Sequence, residues 1–251
     1  MKTSLLSLIL GAGLLSAQAG DSLFTSSSLG KSVLQSNERL ARTWFFEATG
    51  GPVFGVGGDL THATESFSGA NLDALNFGDI YGTAWLLGLR VGRQVGLHDV
   101  YFRFAYTEAE GGSEPVGVDR GNSVTGQFSD YTDFALLGGI RREFMQPGRL
   151  HPYLGFEAGI RFVDSIDVNL SSASFGKTGN VPFYNESTVF TAEVTAGISY
   201  DVCDAFRIGL ESGLRYQGPL DEVDSGSELE NFNNGDALLF VPLLLTGTLN
   251  F

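Results

Sequence analysis

The chain has 251 residues, among them 34 Gly, 20 Phe and a single Cys, and carries a formal charge of −14 at pH 7. That acidity argues against nucleic acid, whose phosphates demand Lys and Arg, and against direct docking on bare anionic lipid heads. The lone Cys203 excludes an internal disulfide, and the length fits one domain with more Gly and Phe than a globular enzyme uses.

Met1 and Lys2 give a short positive start, Leu5 to Leu15 is apolar, and Ala17-Gln18-Ala19 has the small-x-small form of a signal-peptidase site. A signal peptide over 1–19 is expected, with the mature chain starting at Gly20. The apolar run is too short for a spanning helix, which takes about 20 residues. Residues 20–42 read as a periplasmic N-terminal extension: either a disordered leader or a short helix from Ser32, where Ser32-Val33-Leu34-Gln35 resembles a capping box. No later stretch qualifies as a spanning helix. The longest apolar run, Ala237 to Leu245, is interrupted by Pro242.

From Trp44 onward, eight segments alternate with the period of a strand. The first, Trp44 to Val56, puts Trp44, Phe46 and Phe54 on one face and Glu47 and Thr49 on the other. The second, Ile80 to Val95, sets Tyr81, Trp85, Leu87, Leu89 and Val91 against Gly82, Ala84, Gly88, Arg90 and Gly92. The third, Asp99 to Ala109, sets Val100, Phe102, Phe104 and Tyr106 against Tyr101, Arg103 and Thr107. The fourth, Ser129 to Phe144, sets Phe134, Leu136, Ile140 and Phe144 against Asp133, Arg141 and Glu143.

The fifth, Leu150 to Val163, sets Leu154, Phe156, Ile160 and Phe162 against Tyr153, Glu157 and Arg161. The sixth, Ser187 to Val202, sets Phe190, Val194, Ile198 and Tyr200 against Thr191, Glu193 and Thr195. The seventh, Ala205 to Gln217, sets Phe206, Ile208, Leu210, Leu214 and Tyr216 against Arg207, Glu211 and Arg215. The last ends in Leu243, Leu245, Gly247, Leu249 and Phe251, interleaved with Leu244, Thr246, Thr248 and Asn250.

Long connections follow the first, third, fifth and seventh segments (57–79, 110–128, 164–186, 218–236), and short turns follow the second, fourth and sixth. A membrane chain without spanning helices must be a closed barrel, because every backbone polar group in lipid needs a partner. Long outside and short periplasmic connections are the rule for such barrels. The predicted fold is therefore all-β, an eight-stranded antiparallel up-and-down transmembrane β-barrel over 43–251, with both termini in the periplasm. Aromatics recur at two depths on the oily face, as interfacial girdles would. Phe54, Tyr81, Tyr106, Phe134, Phe162, Phe190 and Tyr216 lie towards the long connections, and Trp44, Phe102, Phe144, Tyr200, Phe206 and Phe251 towards the turns.

By parity, Glu47, Arg90, Arg103, Asp133, Arg141, Glu143, Glu157, Arg161, Glu193, Arg207, Glu211 and Arg215 all point inward. Buried charges are tolerated when paired, and the planar guanidinium suits carboxylates. Two readings follow: a salt-bridged plug that fixes barrel shape, or a narrow, gated, porin-like path for ions or small solutes. The long connections are acidic and read as solvated loops. Asp221, Asp224 and Glu228 are candidate ligands for a weak divalent cation, which could bridge to lipopolysaccharide phosphates. The three histidines, His62, His98 and His151, make no metal cluster or nucleophile–base pair by topology, so neither catalysis nor a cofactor is expected.

These features together resemble the small eight-stranded outer-membrane barrel families, OmpA-like and OmpX-like. The resemblance covers about Trp44 to Phe251. It rests on the Ala-Gln-Ala leader end, the inward Arg/Glu set and the Thr246-Gly247-Thr248-Leu249-Asn250-Phe251 terminus. No peptidoglycan-binding domain follows in the sequence, which departs from full OmpA. The resemblance implies a bacterial outer-membrane location and contact with outer-membrane lipid and lipopolysaccharide. It also implies recognition of Leu249 and Phe251 by the barrel-assembly machinery and periplasmic chaperones during biogenesis. The ligand of the surface loops is not specified by any motif.

Overall fold

The computed structural model describes residues 41–61, 63–67, 70–144, 148–223 and 235–251. The expected signal peptide, the N-terminal extension up to residue 40, His62, the turn around Met145-Gln146-Pro147 and the cation candidates Asp224 and Glu228 lie outside the described residues.

The described elements follow in chain order. They are β1 (Ala41–Gly57), β2 (Thr64–Phe67), β3 (Ala70–Leu72), α1 (Phe77–Tyr81), β4 (Thr83–Val95), β5 (His98–Ala109), β6 (Ser113–Asp119) and β7 (Asn122–Phe128). There follow β8 (Tyr131–Glu143), β9 (Leu150–Val163), β10 (Ile166–Ser172), β11 (Gly176–Lys177), β12 (Val181–Tyr184), β13 (Ser187–Cys203), β14 (Phe206–Gln217) and β15 (Leu238–Asn250). Eight of them close into a barrel in the order β1-β15-β14-β13-β9-β8-β5-β4. Each neighbour pair is antiparallel, and β1 pairs with both β4 and β15, so the sheet has no free edge. The seam is completed beyond β15, where the Phe251 N–H donates to the Trp44 carbonyl at 2.9 Å and the Trp44 N–H donates back at 3.0 Å.

Closure forces each strand to present one face inward and one outward. In β5 the alternation is unbroken, with Val100, Phe102, Phe104 and Tyr106 exposed and Asp99, Tyr101, Arg103, Ala105 and Thr107 buried. Large apolar side chains cover the outside: Phe102 is 71 % exposed, Leu245 70 % and Leu87 68 %. Tyr106, Phe134 and Phe162 stand directly beside one another across β5, β8 and β9, so one aromatic row sits at a single height. The short turns obey local chemistry. Gly96, at φ +64°, opens the two-residue turn between β4 and β5, a position a Cβ disfavours.

Several sequence expectations need correction here. The second predicted strand starts at Thr83, not Ile80. Asn76 caps α1 instead: its side chain accepts from the Gly78 and Asp79 N–H groups, and the Asp79 carboxylate accepts from the Asn76 N–H. The helix carries Phe77, Ile80 and Tyr81 into the apolar interior, so Tyr81 is buried and no part of an outer girdle. Gly82, expected on the lumen face, is the exposed helix C-cap at φ +60°. Phe206, placed in the other girdle, is only partly exposed.

A further correction concerns the long connections, which are not merely solvated loops. Strands β11-β10-β7-β6-β3-β2 form a second sheet, with β12 paired to β10. Its inward side chains, including Leu72, Val116, Val124, Phe128, Val168, Leu170 and Phe183, are buried. They share one apolar cluster with α1 and with the upper barrel residues Val53, Leu86, Tyr131, Phe240 and Leu244. Cross-links between connections hold the sheet together: the Tyr184 hydroxyl donates to the Leu60 carbonyl at 2.7 Å, and the Asn185 N–H donates to the Asp221 carbonyl at 3.0 Å.

Candidate functional site

The barrel interior divides into an apolar zone towards the long connections and an ionic zone towards the short turns. Small residues on the inner wall make room for the ionic zone. A Cβ on Gly139 would overlap the Tyr101 ring, and one on Gly197 the Tyr153 ring. Those two rings lean into the lumen and donate their hydroxyls to Glu157 (2.9 Å) and Glu211 (3.0 Å).

Arg90, on β4 and fully buried, sits at the centre. Its Nη1 donates to Glu47 (2.6 Å) and Glu211 (2.9 Å), and its Nη2 to Glu157 (2.5 Å) and Glu211 (2.6 Å). Glu211 is thereby held by both nitrogens, the two-pronged geometry a guanidinium favours. Around this centre, Arg141 donates to Glu47 and Asp99, both at 2.9 Å, and Thr248 donates to Glu47 at 2.7 Å. Arg103 donates to Glu157 at 3.0 Å. The Arg141 guanidinium also stacks over Tyr153, 4.7 Å from the ring centre.

Towards the long connections, Arg215 donates to Glu193 at 2.9 Å, and Arg161 donates to Asp133 and Thr107. Towards the short turns, Arg207 reaches Glu143 and Asp201, both at 2.7 Å, and His151 meets the other Asp201 oxygen at 2.8 Å. Of the parity-derived charge set, all but the partly exposed Arg207 are buried.

Sequence reasoning left Asp99 and Asp201 out of this set. Parity alone would have found them, since Asp99 alternates with Tyr101 and Arg103, and Asp201 with Ser199 and Gly197. The His151–Asp201 pair also qualifies the sequence expectation about histidine, because His151 does have an acidic partner.

Several buried polar atoms have no hydrogen-bond partner among the described residues: Nε and Nη2 of Arg103 and of Arg161, Nη2 of Arg215, Oε1 of Glu193 and the hydroxyls of Thr49 and Thr195. Higher up, burial pushes the Tyr81 phenol well above its ordinary range. Leu249 and Phe251 both face outward and are exposed. Of the cation candidates, only Asp221 falls within the described residues, and no three metal-ligating side chains gather among them.

No family model matches the chain, and no curated protein matches it. Among solved structures it is similar to neisserial surface protein A at 14 % identity, covering 83 % of this chain and 97 % of that one, with a TM-score of 0.42. It is also similar to the N-terminal β-barrel domain of Pseudomonas aeruginosa OprF (16 %, 83 % and 97 %, TM-score 0.32). A third is the attachment invasion locus protein Ail of Yersinia pestis, solved with the heparin analogue sucrose octasulfate (15 %, 84 % and 97 %, TM-score 0.36). The architecture rests on the strand pairing rather than on these likenesses: the chain is a closed, eight-stranded antiparallel β-barrel.

Proposed function

We propose that this chain is an integral protein of the bacterial outer membrane that displays a folded, acidic sheet to the outside as a surface for interaction. One observation carries the reading: polarity is inverted. The outer wall is a belt of exposed Leu, Val, Ile and aromatic side chains, while the ionic residues are buried within. In water such a belt would be an aggregation surface; in a bilayer it is the solvated face. Strands without a free edge satisfy their backbone groups internally, as lipid requires.

The long connections lie at the end that faces outward in this reading. They hold only two basic residues, Arg120 and Lys177, among many Asp and Glu. Their charge suits cationic partners or partners bridged by divalent cations. The ion pairs of the lumen then serve as an internal brace, and the chain acts without a catalytic step. A closed barrel is favoured over a conducting one because side chains from all eight strands fill the interior and α1 packs into its mouth.

Membrane-impermeant maleimide on intact cells tests the orientation. The native Cys203, at a short turn, should stay unlabelled, while Val118→Cys in a Cys203→Ser background should label, since Val118 is exposed on the outer sheet. The reverse pattern would reject the reading. Planar-bilayer recording addresses the porin-like alternative: a silent bilayer after verified insertion is expected, and steady unitary currents would favour the channel.

A further inference from the structure

We propose that the outer wall holds one anionic phospholipid at the short-turn end, its phosphodiester clasped between Arg93 of β4 and Arg142 of β8. This rests on the reading that the wall meets lipid. Arg90, Arg103, Arg141, Arg161, Arg207 and Arg215 each meet a carboxylate on the inner face. Arg93 and Arg142 fall on the opposite parity. Arg93 shares its face with the exposed Val95, and Arg142 with the exposed Ile140 and Phe144. Neither has an ion-pair partner among the described residues.

Strand register brings the two together. Arg93 lies opposite Trp44 on β1 and Val100 on β5, and Arg142 lies opposite His98 on β5 and Leu154 on β9. His98 and Val100 follow one another on the same face of β5, the strand between. Strand spacing and rise put the two arginine Cα atoms about 12 Å apart, a gap that two long side chains can close on one headgroup. The partly exposed His98 imidazole stands between them as a further hydrogen-bond donor. The Arg93 guanidinium lies over the Trp44 ring, 5.9 Å from its centre, and its Nε is buried without a hydrogen-bond partner among the described residues.

A guanidinium rooted in an apolar wall near its rim reaches for the headgroup layer, where phosphate is the acceptor its planar fork fits. The net charge of the lipid follows from where the acids are. On β1, β4, β5, β8 and β9 the carboxylates Glu47, Asp99, Asp133, Glu143 and Glu157 are buried. Glu108 faces outward, but near the long-connection end, opposite Trp85. The ammonium of a zwitterionic headgroup therefore finds no carboxylate beside Arg93 and Arg142, whereas an anionic headgroup brings no such cation to satisfy. The acidity of the whole chain, which counts against anionic lipid in general, is absent from this sector. Val100, Leu154 and Phe144 are exposed around the pair, and acyl chains cover them where free phosphate would not.

The test uses the full chain with Trp85→Phe, which leaves Trp44 as the sole tryptophan. It is refolded into phosphatidylcholine vesicles containing a small share of lipid with brominated acyl chains, either phosphatidylglycerol or phosphatidylcholine. Brominated phosphatidylglycerol should gather beside Trp44 about five-fold above its bulk share, the factor one basic side chain near the surface supplies, and should quench more at equal mole fraction. That preference should vanish in Arg93→Gln/Arg142→Gln. Should the double variant fail to fold, Arg142→Gln alone should reduce the preference. The Trp44→Phe chain, which reports from Trp85 at the other end, should show none. Equal quenching of Trp44 by the two brominated lipids, or a preference undiminished by the arginine substitutions, would overturn the proposal and leave the membrane reading standing. Absence of quenching by either lipid would overturn the membrane reading itself.

Discussion

Arg90 binds three carboxylates from three other strands, Glu47, Glu157 and Glu211, in a place without water contact. Taking charges out of water is costly, so such a cluster is weak evidence of net stability. Breaking it, however, strands acids that can no longer be solvated. Arg90→Ala is therefore expected to lower the unfolding free energy by about 3–5 kcal/mol in denaturant titrations of the lipid-embedded barrel. Arg120→Ala, at a residue whose side chain is 80 % exposed, should stay within about 0.5 kcal/mol of the parent. Equal losses at the two positions would mean that the ionic interior does not brace the barrel. At this scale the sequence was highly legible, because strand parity alone assigns a face to each residue. It did not reveal which acid each arginine meets. Glu211 lies 121 residues from Arg90 in the chain, and only barrel closure brings them together.

At the scale of elements, the barrel strands were readable and the connections were not. Residues 150–163 have the same limits in sequence and structure, because alternation there runs from turn to turn without a break. The outer sheet includes strands such as β3 and β12, too brief for a period to register, but also the seven-residue β10, where Ile166, Val168 and Leu170 alternate with Asp167 and Asn169; that signal is in the sequence, and reading the segment as part of a loop passes over it. The α1 helix hid because its last residue, Tyr81, falls on the apolar parity of β4, and only Asn76 followed by Asp79 marks a helix start. Asn76→Ala removes an acceptor from two backbone N–H groups and should cost about 1 kcal/mol. The loss should appear as faster amide exchange over residues 77–82, with the barrel strands unchanged; unaltered exchange would show that packing of Phe77 and Tyr81 suffices without the cap. At the other end, deleting Phe251 removes the backbone pair with Trp44 that finishes the seam. Slower appearance of the heat-modifiable folded form on gels is expected, and an unchanged rate would argue that β15 closes without its final residue.

The whole molecule turns a soluble protein inside out, and its charge follows. The acidic residues outside the barrel strands sit in the connections, while the interior pairs most of its own charge. Both tryptophans of the chain, Trp44 and Trp85, stand on the outer wall, 51 % and 63 % exposed, each near the start of its strand and so, on antiparallel neighbours, near opposite ends of the barrel. They make the central claim directly measurable without any substitution. The refolded chain is placed in vesicles whose acyl chains carry bromine, and tryptophan emission is compared with that in unbrominated lipid. Strong quenching of both residues by brominated lipid, with little effect of aqueous iodide, is the expected result. Emission untouched by the brominated chains but quenched by iodide would contradict the claim that the apolar wall faces lipid.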